Sequence, residues 1–191
     1  MKKTTISDKQ TALLVMDVQT RIVGMIEDHD KLIQNIQKAI KHAHQNEIPV
    51  IYIVVQFREG FPEVSPNNKS FSVIKSRQDA FADPEQMAIF KDVTPEKDDI
   101  VVTKRRVSAF TGSDLEVVLR SLGVNKLVLS GIATSGVVLS TVRQAADKDY
   151  QLIVLSDCCA DGDPQVHETL LTKIFPRQTE VLSVDEWINR N

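Results

Sequence analysis

Short runs of Val, Ile and Leu recur along this chain, each followed by a longer stretch in which apolar residues return at helical spacing. A run that is apolar at nearly every position has no face suited to water and must be covered on both sides. Strands of that kind, alternating with helices, build a parallel sheet whose crossovers are the helices. The expected fold class is therefore α/β, a three-layer αβα arrangement with a mainly parallel sheet and helices on both faces.

Residues 11–18 read as the first strand, and 30–46 as a helix whose inward stripe is Leu32, Ile33, Ile36, Ile40 and Ala43. Pro49 precedes a strand over 50–56. After a long irregular stretch come a strand over 100–103, a helix over 113–122 and a strand over 126–130. Ser113 with Glu116 has capping-box spacing, and Gly123 stands where that helix should stop. A helix over 134–147 and a strand over 151–156 follow. Next is a helix capped by Asp163, with Pro164 in its first turn, that ends before Pro176; the last strand is 180–183. With no repeat or low-complexity tract, residues 1–191 read as a single domain, long enough to bury roughly 70% of the surface its unfolded form exposes.

Acidic and basic residues are interspersed and the formal charge is -3, so the sequence offers no basic footprint for nucleic acid or an anionic membrane. The expected partner is a small molecule. The opening residues MKKTTISDKQ lead into an apolar stretch too short for a signal peptide or a membrane span, which points to the cytoplasm. Cys158 and Cys159 are adjacent and ill-placed to bridge each other, so no disulfide framework is expected.

In an open parallel sheet a ligand sits beyond the carboxyl ends of the strands, where loops and helix starts converge. Four strand ends are unusual: Asp17, the turn Gln56 to Arg58, Lys104, and 131–138. Asp17 interrupts LLVMDVQ, where burial would raise the pKa of a carboxyl unless a cation compensates, and Lys104, ending IVVTK, is the available cation. On chemistry alone the pair is either a catalytic carboxylate with its orienting ammonium or a structural ion pair. Arg105 and Arg106 read as solvated charges in preference to substrate-facing ones.

Three blocks, TALLVMDVQ, VVTKRRVSAFTGSDLEVVLRSLGV and KLVLSGIATSGVVLSTVRQAADKDYQLIVLSDCCAD, resemble in order and spacing those of the isochorismatase-like hydrolases, a superfamily with a Rossmann-like sheet that includes nicotinamidases, carbamoylsarcosine amidohydrolases and isochorismatases. The resemblance implies hydrolysis of an amide, lactam or vinyl-ether type bond in a small molecule, with Asp17 and Lys104 as the catalytic pair and no cofactor. It also implies a cis peptide at Ile132–Ala133 that turns backbone N–H groups into an oxyanion hole reaching to Val137. Gln19, Gln56, Phe110 and Thr134 fall at expected pocket positions, and a homo-oligomer is implied.

The sequence departs from the family pattern at one position. Amidohydrolase members carry a nucleophilic cysteine six residues after the glycine of the third block; counted from Gly131, that position is Val137, which has no nucleophilic atom. Isochorismatases also lack the cysteine, and there the aspartate is understood as a proton donor. Nor does the turn Gln56, Phe57, Arg58 supply the Asp-x-His pair that holds metal in nicotinamidase-like members, so no metal is expected. His29, His42, His44 and His167 all read as surface residues. Cys158 is a minor candidate for a replacement thiol against the ordinary reading of a small buried hydrophobe.

Residues 57–81 form a long connection whose Phe57, Phe61, Phe71 and Phe81 either wall a pocket or neighbouring subunit, or pin the loop to its own domain. An alternative to an enzyme is a non-catalytic descendant that binds a small ligand or protein partner in the same pocket. A flavin or nucleotide carrier is disfavoured, because no Gly-rich phosphate loop follows the first strand.

Overall fold

The apolar runs become β1 (Thr11–Met16), β2 (Val50–Val55), β3 (Ile100–Lys104), β4 (Lys126–Ile132), β5 (Gln151–Ala160) and β6 (Glu180–Leu182) in a computed structural model that describes residues 10–76 and 81–190. All neighbouring pairs are parallel, in the order β3-β2-β1-β4-β5-β6. β1 and β2 are buried at every position, as their unbroken apolar character requires. The opening residues, 1–9, lie outside the described residues. Among the described residues no helix is long and apolar enough to cross a membrane.

The helices are α1 (Thr20–Val23), α2 (Asp30–Gln45), α3 (Lys69–Ser76), α4 (Leu115–Ser121), α5 (Leu139–Ala146), α6 (Pro164–Thr169) and α7 (Val184–Ile188). α2 and α7 cover one face of the sheet, packing Ile33, Ile36 and Trp187 on Leu13, Val15 and Ile153. α4 and α5 cover the other, where Leu119 and Val142 meet Leu14, Ile53 and Leu129. The inward stripe of α2 is the expected one, with Ala39 added. Ile36 is wholly buried, so its truncation to alanine would cost roughly 2–5 kcal/mol.

Local signals were followed in part. The Asp163 side chain accepts from the N–H groups of Gln165 and Val166, with Pro164 in the first turn, and Gly123 takes a left-handed φ of 66° just past α4. The capping box expected at Ser113 and Glu116 does not form. Ser113 Oγ donates to the Ala109 carbonyl at 2.6 Å, while the Glu116 carboxylate is drawn 2.6 Å from Lys148 Nζ, a charged partner brought from beyond α5. A complete capping box stands instead at Ser183 and Glu186, starting α7. The expected 134–147 helix opens with a wide turn over Thr134–Val138 before α5, and the helix after Pro164 widens again over Leu170–Ile174. Pro176 lies inside a tight turn, Phe175–Arg177, rather than beyond the last one.

β5 continues past the expected end at Ser156. Leu129 pairs with Val154 and Gly131 with Cys159, so β5 advances five residues where β4 advances two. The added residues are held by the α2 and α7 layer: Asp157 O accepts from Asn35 Nδ2 on α2 at 3.0 Å, and Asp157 Oδ1 accepts from the Val184 N–H of α7 at 2.8 Å.

The 57–81 connection contains α3, with residues 77–80 outside the described set. Phe61 and Phe71 are buried in a separate small core with Val55, Val64 and Met87, and Phe57 packs against both rings. These aromatics therefore pin the connection to its own chain. Arg105 and Arg106 are part of that attachment rather than free surface charges: Arg105 Nε is 3.3 Å from the Glu63 carboxylate, and Arg106 donates to the Glu63 carbonyl at 2.8 Å.

Candidate active site

The strand order reverses between β1 and β4, and in doubly wound sheets the crevice beyond the carboxyl ends at that point is where ligands bind. Asp17 is the residue directly after β1, in a left-handed conformation (φ 56°), with its N–H donating to the Ile53 carbonyl of β2 at 2.8 Å. On the other side of the crevice Gly131 has φ 144° and faces Met16 in register. A Cβ there would lie 2.2 Å from the Met16 carbonyl oxygen, so only glycine lets the two strand ends approach this closely. The peptide Ile132–Ala133 is cis, as the resemblance implied, and the wide turn over Thr134–Val138 follows at once.

Lys104 ends β3, two strands away from Asp17, and reaches across the end of β2. Its Nζ is 2.9 Å from Asp17 Oδ2 and donates to the Arg106 carbonyl at 2.9 Å. Both residues are almost fully buried, Asp17 at 6% exposure and Lys104 at 2%. Burial pushes the Asp17 carboxyl up to about 6, against the opposing pull of the Lys104 charge and hydrogen bond. Its second oxygen, Oδ1, is also buried and accepts no hydrogen bond among the described residues. The arrangement is thus a carboxyl held by one oxygen, with a proton affinity near neutrality and its other oxygen uncommitted.

Val137 is buried at 2% exposure within the core that also contains Met16 and Ala109. Thr134 is fully buried, with Oγ1 2.8 Å from His167 Nδ1. Around this turn lies a contact that sequence reasoning missed: Asp161 Oδ2 accepts from the Ser135 N–H at 2.7 Å and its Oδ1 from the Asp163 N–H. Burial works upward on the Asp161 carboxyl, but hydrogen bonds from Ser135 and Asp163 and the nearby His167 hold it below the usual carboxylate range. A carboxylate just past an apolar strand was the available signal. In the sequence the Asp-Gly-Asp-Pro turn signals a helix start and carries no mark of the contact with Ser135.

Two expected pocket residues make contacts within the fold. Gln19 is fully buried and saturated: its Nε2 donates to the Met87 carbonyl at 2.6 Å and the Val55 carbonyl at 3.2 Å, and its Oε1 accepts from the Val55 N–H at 2.9 Å. An amide can bridge three backbone groups in this way, and the end of β2, paired with β3 but past the last β1 pair, presents the Val55 groups that require it. Phe110 lies against Tyr150, which directly precedes β5, at the opposite edge of the sheet from Asp17. Gln56, by contrast, lines a cavity of about 190 Å³ with Phe57, Phe81 and Met87.

The histidines are half-buried rather than on the surface. His44 Nε2 is 2.8 Å from Asp99 and its Nδ1 3.3 Å from Glu96; His29 and His42 pack on Phe90 and Trp187. Burial lowers the pKa of His167 against the pull of Asp161 and Glu168. Cys158 is wholly buried on the α2 face, where burial and Asp157 raise its thiol far out of the reactive range, and Cys159 on the other face is pushed up to about 12 by burial. Neither is a replacement thiolate.

A doubly wound α/β fold with a buried carboxyl and ammonium at its switch point defines the class. The chain belongs to the isochorismatase family, whose isochorismatase domain matches residues 11–186. It is similar to an isochorismatase family protein of Bacillus subtilis, 29% identical over 191 residues that cover 100% of this chain and 98% of that protein. It is also similar to ureidoacrylate amidohydrolase of Acinetobacter baylyi, 31% identical over 192 residues, covering 88% of this chain and 78% of that protein. Among solved structures it resembles a cysteine hydrolase from Pseudomonas syringae pv. phaseolicola, with a TM-score of 0.86, 25% identity, and coverage of 98% of this chain and 95% of that one.

Proposed function

We propose that this protein is a small-molecule hydrolase of amide, lactam or vinyl-ether type bonds that uses Asp17 directly, without a covalent enzyme intermediate. The observation that carries the reading is Asp17 Oδ1, buried, unpartnered, and belonging to a carboxyl whose pKa is about 6. A general acid–base is most effective when its pKa lies near the working pH. For an amide, Oδ1 takes a proton from water as the water oxygen bonds to the carbonyl carbon. The same proton then passes to the nitrogen as the carbon–nitrogen bond breaks. Lys104 keeps Oδ2 fixed throughout, and the N–H groups of Ala133 and Val137, with those of Ser135 and Gly136 already donated elsewhere, serve the developing oxyanion. For a vinyl ether the protonated carboxyl gives its proton to the terminal alkene carbon, water bonds to the resulting oxocarbenium carbon and returns a proton to the carboxylate, and the hemiketal then splits into a carbonyl and an alcohol. Likeness to an amidohydrolase supports the substrate class, and Val137 argues for the direct route because it leaves no thiol to acylate.

The test is turnover of a panel of primary amides, N-carbamoyl amides, lactams and vinyl ethers, run together with thermal shifts. Asp17→Asn should abolish turnover, and the double variant Asp17→Asn with Lys104→Met, which leaves no unpaired buried ammonium, should be inactive yet folded. Full activity in either variant sinks the reading. The alkyl side chain at Val137 favours one other reading, a pocket that binds without reacting; thermal shifts with no turnover across the panel would establish it.

A further inference from the structure

A second cleft lies away from Asp17, between the carboxyl-terminal half of α2 and the segment 92–99. It has a volume of about 390 Å³, and Ile40, His44, Tyr52, Val93 and Glu96 line it. An adjoining groove that shares His44 and Glu96 runs under Val50 and Ile100, the first residues of β2 and β3, so it opens at the amino edge of the sheet. Clefts of this size are typical of small-molecule sites.

Two independent observations make this a built site rather than a dent in the surface. The first is Tyr52, whose side chain is 1% exposed and whose hydroxyl has no hydrogen-bond partner among the described residues, although it ends in the cleft wall. A buried hydroxyl left unpaired costs free energy, and a ligand that pairs with it recovers that loss. The second is charge. Across the cleft and groove Asp92, Glu96, Asp98 and Asp99 outnumber Lys41 and Lys97. His44 is clamped between Asp99 and Glu96, which fixes the position of both carboxylates. Those two carboxylates also bear on Tyr52, helping burial to raise its phenol pKa, so the hydroxyl and the acidic groups share one neighbourhood.

We infer that this cleft binds a small organic cation, an ammonium or amidinium carried on a compact apolar body. The nitrogen sits by Glu96 and donates to Tyr52 Oη, and the body rests on Ile40 and Val93. The inference stands on residues outside the Asp17 site and holds whether or not that site is catalytic.

The experiment is an NMR titration of backbone amides with benzylammonium and benzamidinium, with benzyl alcohol as the neutral isostere, on the wild-type protein, Tyr52→Phe and Glu96→Gln. Saturable shifts at His44, Thr94 and Glu96 are expected with both cations, and binding of benzyl alcohol should be weaker. Loss of one hydrogen bond should weaken the cations roughly 3- to 10-fold in Tyr52→Phe, with a similar loss in Glu96→Gln. Because the hydroxyl has no internal partner, Tyr52→Phe should melt at the wild-type temperature or above it. No saturable shift with either cation, equal binding of the alcohol, unchanged affinity in Tyr52→Phe, or a lowered melting temperature in that variant would each overturn the inference.

Discussion

Lys104 crosses the end of an intervening strand to place its ammonium 2.9 Å from Asp17 Oδ2, so a carboxyl just past β1 and a cation on β3 form one buried unit while Oδ1 has no hydrogen-bond partner among the described residues. Burial raises the Asp17 pKa to about 6 and Lys104 opposes it. Lys104→Met removes the opposing cation, so the Asp17 midpoint should move above its wild-type value. A carboxyl-carbon NMR titration reads this directly; a midpoint that stays put or falls would refute the coupling. If Asp17 is the catalytic group, the matching limb of the pH–rate profile moves the same way.

Linkage gives the same carboxyl a sign in stability. Its folded pKa, about 6, exceeds the ordinary value of 3.8, so its contribution is fully present below about pH 3.8 and is lost as pH rises through 6. A shift of that size corresponds to a loss on the order of 3 kcal/mol. Wild type should therefore lose more stability between pH 4 and 7 than the double variant Asp17→Asn with Lys104→Met. Urea melts at the two pH values measure the difference, and equal changes in both proteins would count against it.

Gly131 cannot carry a side chain. Gly131→Ala combines φ 144° with a Cβ 2.2 Å from the Met16 oxygen, and should destabilise the fold by roughly 3 kcal/mol or more. A denaturant midpoint within error of wild type would show that the strand ends can separate without loss.

Val137→Cys introduces a sulfur at the position where the family resemblance implies a nucleophilic cysteine. The change is small in a buried site and should cost about 1 kcal/mol. Residue 137 is as deeply buried as Cys158 and Cys159, so the readout is activity: the variant should gain amidase turnover over wild type. No gain would show that a sulfur at 137 is not placed to attack a substrate.

Glu63, paired with Arg58 inside the 57–81 connection, ties that connection to Arg105 and Arg106, the residues just past the strand that carries Lys104. Glu63→Ala should barely move the melting temperature, since partly exposed ion pairs contribute roughly 0–1 kcal/mol. It should instead speed proteolytic cleavage within 57–76. Unchanged cleavage would assign the attachment to the phenylalanines alone.

The sheet and its layers were legible because apolar runs and helical stripes are local patterns. The Asp17 and Lys104 pair was legible because a charge that ends a buried strand needs a partner. What escaped depends on contacts between distant parts of the chain. Lys148 draws Glu116 away from a capping box that its spacing favours. Gln19 is consumed by backbone groups more than thirty residues away. His44 meets Asp99 and Glu96 only once α2 and β3 have packed, so the second cleft has no signature in the sequence.

The extra backbone in β5 also changes which way its side chains point. Three more residues than β4 supplies is an odd number, so the in-and-out alternation reverses along the strand: Leu155 and Cys158 face one helical layer, Val154 and Cys159 the other. The strand behaves as two short rulers joined by a slack link at Ser156 and Asp157. An insertion or deletion of two residues at that link would preserve the orientation of both halves, whereas a change of one would turn Cys159 and the rim beside Gly131 inside out.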